Sequence, residues 1–362
     1  MKKNIEALVS QMGNIYRQFG YSQFKMNKFE EYDIYVNNKD FLKSDKVITF
    51  TDTNGKLLAL KPDVTISIIK NSDDTEGFIQ KVYYNENVYR VSDGTHAFKE
   101  IMQSGLECIG DVDDYCICEV LMLAAKSLYS IDTSFMLDIS HMGLISSLLS
   151  SAGIKNDLTD VFLKAISEKN LPELLTLCKS QELSSEWIEI LSNLITMYGP
   201  ISEISKKLDV FSVNEDTKKS VEEIITLSSM LESFDLAHKI QIDFSVVNDM
   251  HYYNGFVFKG YISSIPFGIL SGGQYDRLVK KMGKNAKGLG FALYLDMLER
   301  LFTENEEFDA DVCIHYEKGV SPQKVLNKVN EIIESGKSAL AIRANAQKVM
   351  CRENIYLTEE DA

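Results

Sequence analysis

The chain reads as an α+β protein: a mostly antiparallel sheet flanked by helices, interrupted by a helical block and followed by a small α/β unit. Three observations predict it. Strand-type patterns occur before residue 141 and return after residue 240, residues 141–235 carry several apolar runs at helical spacing, and the segment after Asp311 alternates strand, helix and strand. Because sheet patterning resumes after the helical block, that block interrupts one domain. Residues 1–305 are therefore expected to form the core domain with 141–235 inserted, and 306–362 a separate small β-α-β unit.

Taken in order, Ile5, Leu8, Val9, Met12, Ile15, Tyr16 and Phe19 repeat every three or four residues, which predicts an amphipathic helix ended by Gly20. Apolar runs from Phe29 to Tyr35 and from Lys46 to Leu60 predict strands, with Asn54-Gly55 marking a tight hairpin turn. Asp63 and Thr65 then open a helical segment over 63–71, Asp63 favouring its positive end. A strand is expected at Gln80–Tyr84, and after it a hairpin with arms NVYRV and AFKEIMQSGLECIG joined by Ser92–Thr95. In the second arm Ile101, Gln103 and Gly105 alternate with Glu100, Met102 and Ser104, which sets Gln103 on a face able to line a site.

Asp113 is placed to cap the buried helix CICEVLMLAAKSL, and Phe135–Ile139 predicts one more strand. Helical runs follow at 144–149, 158–166, 171–177, 187–197 and 221–227, punctuated by Gly199-Pro200. Strands are expected again at Gln241–Val247, Gly255–Ile262 and Phe267–Leu270, then a turn at Gly272-Gly273 and a helix over Gly288–Phe302. The acidic joint TENEEFDAD leads to Val312–His315, Pro322–Ile333 and Ala339–Ile342, the expected β-α-β unit.

Charge narrows the function. With 38 Lys and Arg against 53 Asp and Glu the formal charge is -15, which repels a polyanion and argues against nucleic-acid binding. Six scattered cysteines match neither a zinc knuckle nor a CxxC redox pair, and no metal-ligand motif or nucleophile elbow occurs, so neither a metal nor a cofactor is expected. No apolar stretch approaches the roughly 18 residues of a membrane span, and reduced thiols in a cytoplasmic setting are expected.

Three polar patches stand at the ends of predicted strands: Lys61, Asp63 and Thr65; Arg90 with Lys99, Glu100, Gln103 and Glu107; and His251, Tyr252 and Tyr253 with Gly272, Gly273, Gln274, Tyr275 and Asp276. Carboxylates, an amide and phenols on one sheet face suit a small ligand bearing an ammonium group, because carboxylates pair with it and tyrosine hydroxyls both donate and accept. Surface ion pairs and turn chemistry account equally well for any one of these side chains taken singly.

Six segments in order, LLALKPDVT, NVYR, FKEIMQSGLECIG, YYNGFVFKGY, SGGQYDRL and GLGFALYLDML, resemble the catalytic core of histidyl-tRNA synthetase and its non-synthetase paralogue, the regulatory subunit of ATP phosphoribosyltransferase. The resemblance implies a class II aminoacyl-tRNA synthetase-like sheet, usually dimeric. It also implies a histidine pocket formed by Asp63, Gln103, Glu107, Tyr252 and Tyr253, a residual phosphate site at Arg90 and Lys99, and pocket loops at Gly272, Gly273 and Tyr275. Asp63 stands where synthetases carry Glu. Lys99, Asn248 and Met297 each stand where a synthetase arginine is expected, which removes guanidinium groups that adenylate formation needs. The resemblance therefore points to a chain with no catalytic residues of its own. Its implied role is the regulatory subunit of a two-component ATP phosphoribosyltransferase in the first step of histidine biosynthesis, partnered by the catalytic subunit as a homodimer within a hetero-oligomer. The alternatives are a synthetase-like enzyme and a stand-alone histidine sensor.

Overall fold

The computed structural model describes residues 5–39, 42, 47–73, 75, 77–91, 97–247, 252–298, 308–344 and 349–358. The chain divides into two compact units, residues 1–298 and 299–362.

The first unit begins with α1 (Ile5–Gln18), β1 (Ser22–Gln23), β2 (Phe29–Glu31) and α2 (Tyr32–Val36). The hairpin of β3 (Thr49–Thr51) and β4 (Leu57–Leu60) follows, then α3 (Thr65–Lys70). β5 (Ile79–Val91) and β6 (Phe98–Gly110) form a long hairpin, and α4 (Asp114–Ile131) and β7 (Phe135–His141) come next. The helical block comprises α5 (Met142–Ser151), α6 (Asn156–Ser167), α7 (Leu171–Ser180), α8 (Ser185–Thr196), the short β8 (Tyr198–Pro200), α9 (Ile201–Ile204) and α10 (Glu215–Leu231). β9 (Ile240–Asp243), β10 (Phe256–Ile262), β11 (Ile265–Gln274), α11 (Asp276–Lys281) and β12 (Lys287–Tyr294) complete the unit.

Nine strands form one sheet in the order β1-β5-β6-β12-β11-β10-β7-β9-β8, antiparallel except at β1-β5 and β7-β9. Long β-partners need helices or a second layer to bury each face. On one face α1 and α4 pack together, where the Tyr16 hydroxyl meets Ser127 Oγ at 2.8 Å and the Tyr16 ring lies 5.7 Å from Tyr83 and 6.2 Å from Phe291. On the other face Tyr35, Ile66, Val88, Ile109, Leu278 and Val279 form an apolar cluster. That cluster ties the three-stranded sheet β2-β4-β3, α3 and α11 to the end of the hairpin. Among the described residues no helix is long and apolar enough to cross a membrane.

Helix starts follow local chemistry. Asp113 accepts the Cys116 N–H at 2.9 Å and begins α4; Asn214 and Thr217 make a reciprocal capping box at α10. Asp113→Ala is expected to lower stability by about 1 kcal/mol, read from urea unfolding at pH 7.

Several elements differ from expectation for identifiable reasons. Tyr32–Val36 is helical, which brings the Tyr35 ring fully into the core. The expected strand at Gln80–Tyr84 and the NVYRV arm are one 13-residue strand. The Asn54-Gly55 hairpin forms, but over a five-residue loop in which Asp52 Oδ1 accepts from Asn54 N and Lys56 N, both at 2.8 Å. Gly199-Pro200 belongs to the edge strand β8, where a residue without an N–H is tolerated. β9 ends at Asp243, whose carboxylate accepts the Ser245 N–H and turns the chain.

The largest corrections concern the glycine-rich segments. Gly272 and Gly273 lie inside β11, paired with β10 and β12, and form no turn or loop. The helix expected over Gly288–Phe302 is instead β12 followed by a short 3-10 turn at Leu295–Leu298, residues 299–302 lying outside the described ones. In β12 the small residues Gly288, Gly290 and Ala292 occupy one face and Leu289, Phe291 and Leu293 the other. This two-residue period was obscured because the segment is apolar throughout.

In the second unit β13 (Ala310–Tyr316), α12 (Pro322–Glu334), β14 (Ala339–Arg343) and β15 (Cys351–Leu357) form a parallel sheet in the order β14-β13-β15. Val325 and Ile332 of α12 close a small core with Val312, Ile314 and Leu357. β15 was not anticipated, because its central residues are polar and exposed.

Candidate functional site

On the face opposite α1 and α4, the middle of the nine-stranded sheet floors a cavity of about 830 Å³. Register explains the hollow. Tyr84, Gly105, Ala292, Ser271 and Lys259 form one row across β5, β6, β12, β11 and β10. The adjacent row contains Glu107, Gly290 and Gly273. The centre of the floor is thus nearly free of side chains. At Gly290 an added Cβ would meet Glu107 Oε2 and the Leu106 carbonyl, so glycine there is what gives the carboxylate its room.

Glu107 is the best-held group of the site. It is buried, Oε1 accepts the Thr65 hydroxyl at 2.7 Å and Oε2 accepts the Tyr275 hydroxyl at 2.6 Å. Burial pushes its carboxyl from 4.5 up to about 8, against the lowering by Tyr275 and Thr65 and with a smaller upward push from the Asp63 charge. Asp63 approaches from the start of α3, where its Oδ1 accepts the Ile66 N–H at 3.1 Å. Tyr84, Tyr252, Tyr253 and Tyr275 are all held well above the ordinary phenol range, first by burial and then by neighbouring carboxylates and phenols. They therefore act as neutral hydroxyls.

The aromatic wall is held by two polar side chains of the SGGQYD segment. Gln274 Oε1 accepts the Phe256 N–H at 2.6 Å, and Asp276 accepts both Asn254 Nδ2 and the Gly288 N–H at 3.0 Å. These bonds fix the strand after Tyr253, whose ring lies against the Gly273 backbone and 4.5 Å from the Tyr252 ring.

The structure brings Asp63, Arg90, Gln103, Glu107, Tyr252, Tyr253 and Tyr275 to this one cavity. Arg90 Nε donates to the Pro62 carbonyl at 3.2 Å. Lys99 is the cross-strand partner of Arg90 but is exposed and does not line the cavity. Gly272 and Gly273 contribute through the compactness of β11 and not as loops. Lys61 is buried and paired with Glu86 outside the lining. Met297 is 38 % exposed on the turn after β12, likewise outside it. Asn248, His251 and the Ser92–Thr95 loop lie outside the described residues. Tyr84, Lys259, Tyr261 and Tyr294 also line the cavity and escaped sequence reasoning. The alternation around Gln103 identified a face, but naming its neighbours needs the strand register. Among the described residues no group of three His, Cys, Asp or Glu side chains is arranged to hold a metal.

Comparison with known proteins follows the same lines. The histidyl-tRNA synthetase family profile matches residues 1–298. The ATP phosphoribosyltransferase regulatory subunit of Clostridium botulinum is 30% identical over 321 residues, covering 85% of this chain and 75% of that protein. The protein of the same description from Oceanobacillus iheyensis is 25% identical over 361 residues, covering 98% and 88% respectively. A crystal structure described as an ATP phosphoribosyltransferase regulatory subunit/histidyl-tRNA synthetase from Bacillus halodurans C superposes with a TM-score of 0.84 at 24% identity, covering 98% of this chain and 93% of that one. The chain has the class II synthetase-like sheet flanked by helices with a C-terminal α/β unit, and it belongs to the histidyl-tRNA synthetase family, among its ATP phosphoribosyltransferase regulatory subunits.

Proposed function

We propose that this chain is the regulatory subunit of a two-component ATP phosphoribosyltransferase in histidine biosynthesis, a cytoplasmic protein that binds histidine in the sheet-face cavity and assembles with a separate catalytic subunit. The observation that carries the ligand assignment is the buried Glu107, held by Thr65 and Tyr275 beside Asp63: two carboxyl groups lining a cavity with phenolic walls that is more than large enough for an amino acid. A non-catalytic role is supported by the placement of the cations. Lys99 points to solvent and Met297 lies outside the lining, so a charge-stabilising clamp for a phosphoryl transition state is not assembled from them. In this reading residues 141–235 are an insertion in the core domain, and the chain works as a homodimer within a hetero-oligomer.

The test is reconstitution. Mixing the purified chain with a short-form catalytic subunit should give a complex and change the rate of phosphoribosyl transfer, with histidine modulating that rate; neither association nor a rate change would remove the proposal. A second reading, a synthetase-like enzyme, is favoured by Arg90, which still lines the cavity. Histidine- and ATP-dependent pyrophosphate exchange, lost in Arg90→Ala, would establish it. Within the leading reading, Tyr253→Phe is expected to weaken histidine binding by less than about tenfold, because a neutral hydrogen bond contributes about 0.5–1.5 kcal/mol. Isothermal calorimetry checks this, and unchanged affinity would place the ligand away from Tyr253.

A further inference from the structure

The floor of the cavity is polar at both ends and bare between them. At one end stand Glu107 and Asp63; at the other, three strands away along the Gly105-Ala292-Ser271 row, stands Lys259. Three inter-strand steps span about 14 Å between backbones. The row between them carries only Gly105, Ala292 and Ser271, so a small molecule can lie across the strands there.

Lys259 is half-buried and lines the cavity, yet among the described residues it makes no ion pair. A carboxylate is near: Asp138 of β7 is the cross-strand partner of Lys259, and its Oδ1 is buried with no hydrogen-bond partner. Opposite charges in directly paired positions normally join. Here no ion pair joins the two among the described residues, and Lys259 lines the cavity. Arg90, the other cation among the described lining residues, is differently placed. It stands six residues beyond Tyr84 on β5, roughly 20 Å of strand from the row, and its Nε already serves the Pro62 carbonyl.

We infer that Lys259 receives the carboxylate of the bound amino acid, and that it makes the cavity select an α-amino acid over the corresponding amine. This rests on the reading of the cavity as a histidine pocket. The ligand's ammonium and imidazole face the acids of β6 and α3, its carboxylate faces β10, and the small-residue row lets it lie flat between them. No covalent step is involved; one charge-assisted hydrogen bond forms at the ammonium.

The experiment is calorimetry on the full chain with L-histidine and with histamine, which lacks the carboxylate. Wild type is expected to prefer histidine. Lys259→Met should weaken histidine by about tenfold to a hundredfold, the loss of a charged hydrogen bond, while leaving histamine within twofold. Lys259→Arg should retain the preference, and circular dichroism of both variants separates lost contact from lost fold. Wild-type affinity for histidine in Lys259→Met, or an equal loss of both ligands in a folded variant, overturns the inference while the histidine reading stands. Failure of wild type to bind histidine at all overturns both.

Discussion

Glu107→Gln is expected to weaken histidine binding and, separately, to stabilise the ligand-free protein at alkaline pH. The Glu107 carboxyl is raised from 4.5 to about 8, mainly by burial. Between those values the unfolded chain has released this proton and the folded chain keeps it. Stability therefore falls as pH rises from about 5 to about 8 and levels off above, by an amount on the order of 5 kcal/mol for full ionisation. Glutamine has the same shape and no charge, so the variant should lack this slope and overtake wild type in urea unfolding near pH 8.5. Parallel stability curves for the two proteins from pH 5 to 9 would show that Glu107 is not buried as a neutral acid. Ligand binding should move the other way. An ammonium placed beside Glu107 favours the ionised form, so binding near pH 7 is expected to release a proton and tighten as pH approaches 8. Calorimetry in buffers of different ionisation enthalpy measures that proton directly, and the variant should bind about tenfold to a hundredfold more weakly with no proton release.

Glu86→Ala is expected to be among the most damaging single changes to the core domain. Lys61 is 1% exposed and its ammonium is paired with Glu86, which is 16% exposed and also accepts the Met26 N–H at 3.2 Å. Removing the acid strands a cation in the interior, which costs about 3–5 kcal/mol. Replacing both partners by apolar residues, Lys61→Met with Glu86→Leu, should recover most of that loss, since desolvation of the pair offsets much of its attraction. Thermal unfolding of the single and double variants measures this; a double variant as unstable as Glu86→Ala would mean that the Met26 contact, and not the stranded charge, is what matters. The site should feel the single change as well. Lys61 is also pinned through its backbone, its N–H donating to Lys28 at 3.2 Å and its carbonyl accepting from Tyr89 at 2.9 Å, and Pro62 and Asp63 follow directly. Loosening that segment moves Asp63 and the carbonyl that orients Arg90.

Much of this architecture was legible in local patterns. The buried helix α4 announced itself by its length, its apolar content and Asp113, whose carboxylate does accept the Cys116 N–H. The helices α5 to α8 and α10 follow their apolar spacing. Where reading failed, two periods competed. β12 is apolar at nearly every position, so a helix and a strand fit equally until the small residues are seen to share one face. Gly272-Gly273 carries the same composition as a turn, and what makes it strand is the closeness of its neighbours: a Cβ at Gly272 would meet the Gly290 carbonyl and the Phe258 ring.

For the site, residue type placed Glu107, Asp63, Gln103 and the Tyr252-Tyr253 pair in three separate polar patches at strand ends, and it was the family resemblance, not spacing, that implied one shared pocket. Lys259 was passed over, since a lysine within an apolar strand carries no local sign of what it faces. Whether it meets Asp138 or the cavity depends on the pairing of β10 with β7 and β11, and on the small residues at Gly105, Ala292 and Ser271 that leave the space open. Chemical character and periodicity are properties of short stretches of chain, and the sequence by itself determined those; which acid, phenol and cation share one hollow depends on register among strands whose paired residues lie up to 191 positions apart, as Gln103 and Tyr294 do, and only the tertiary structure decided that.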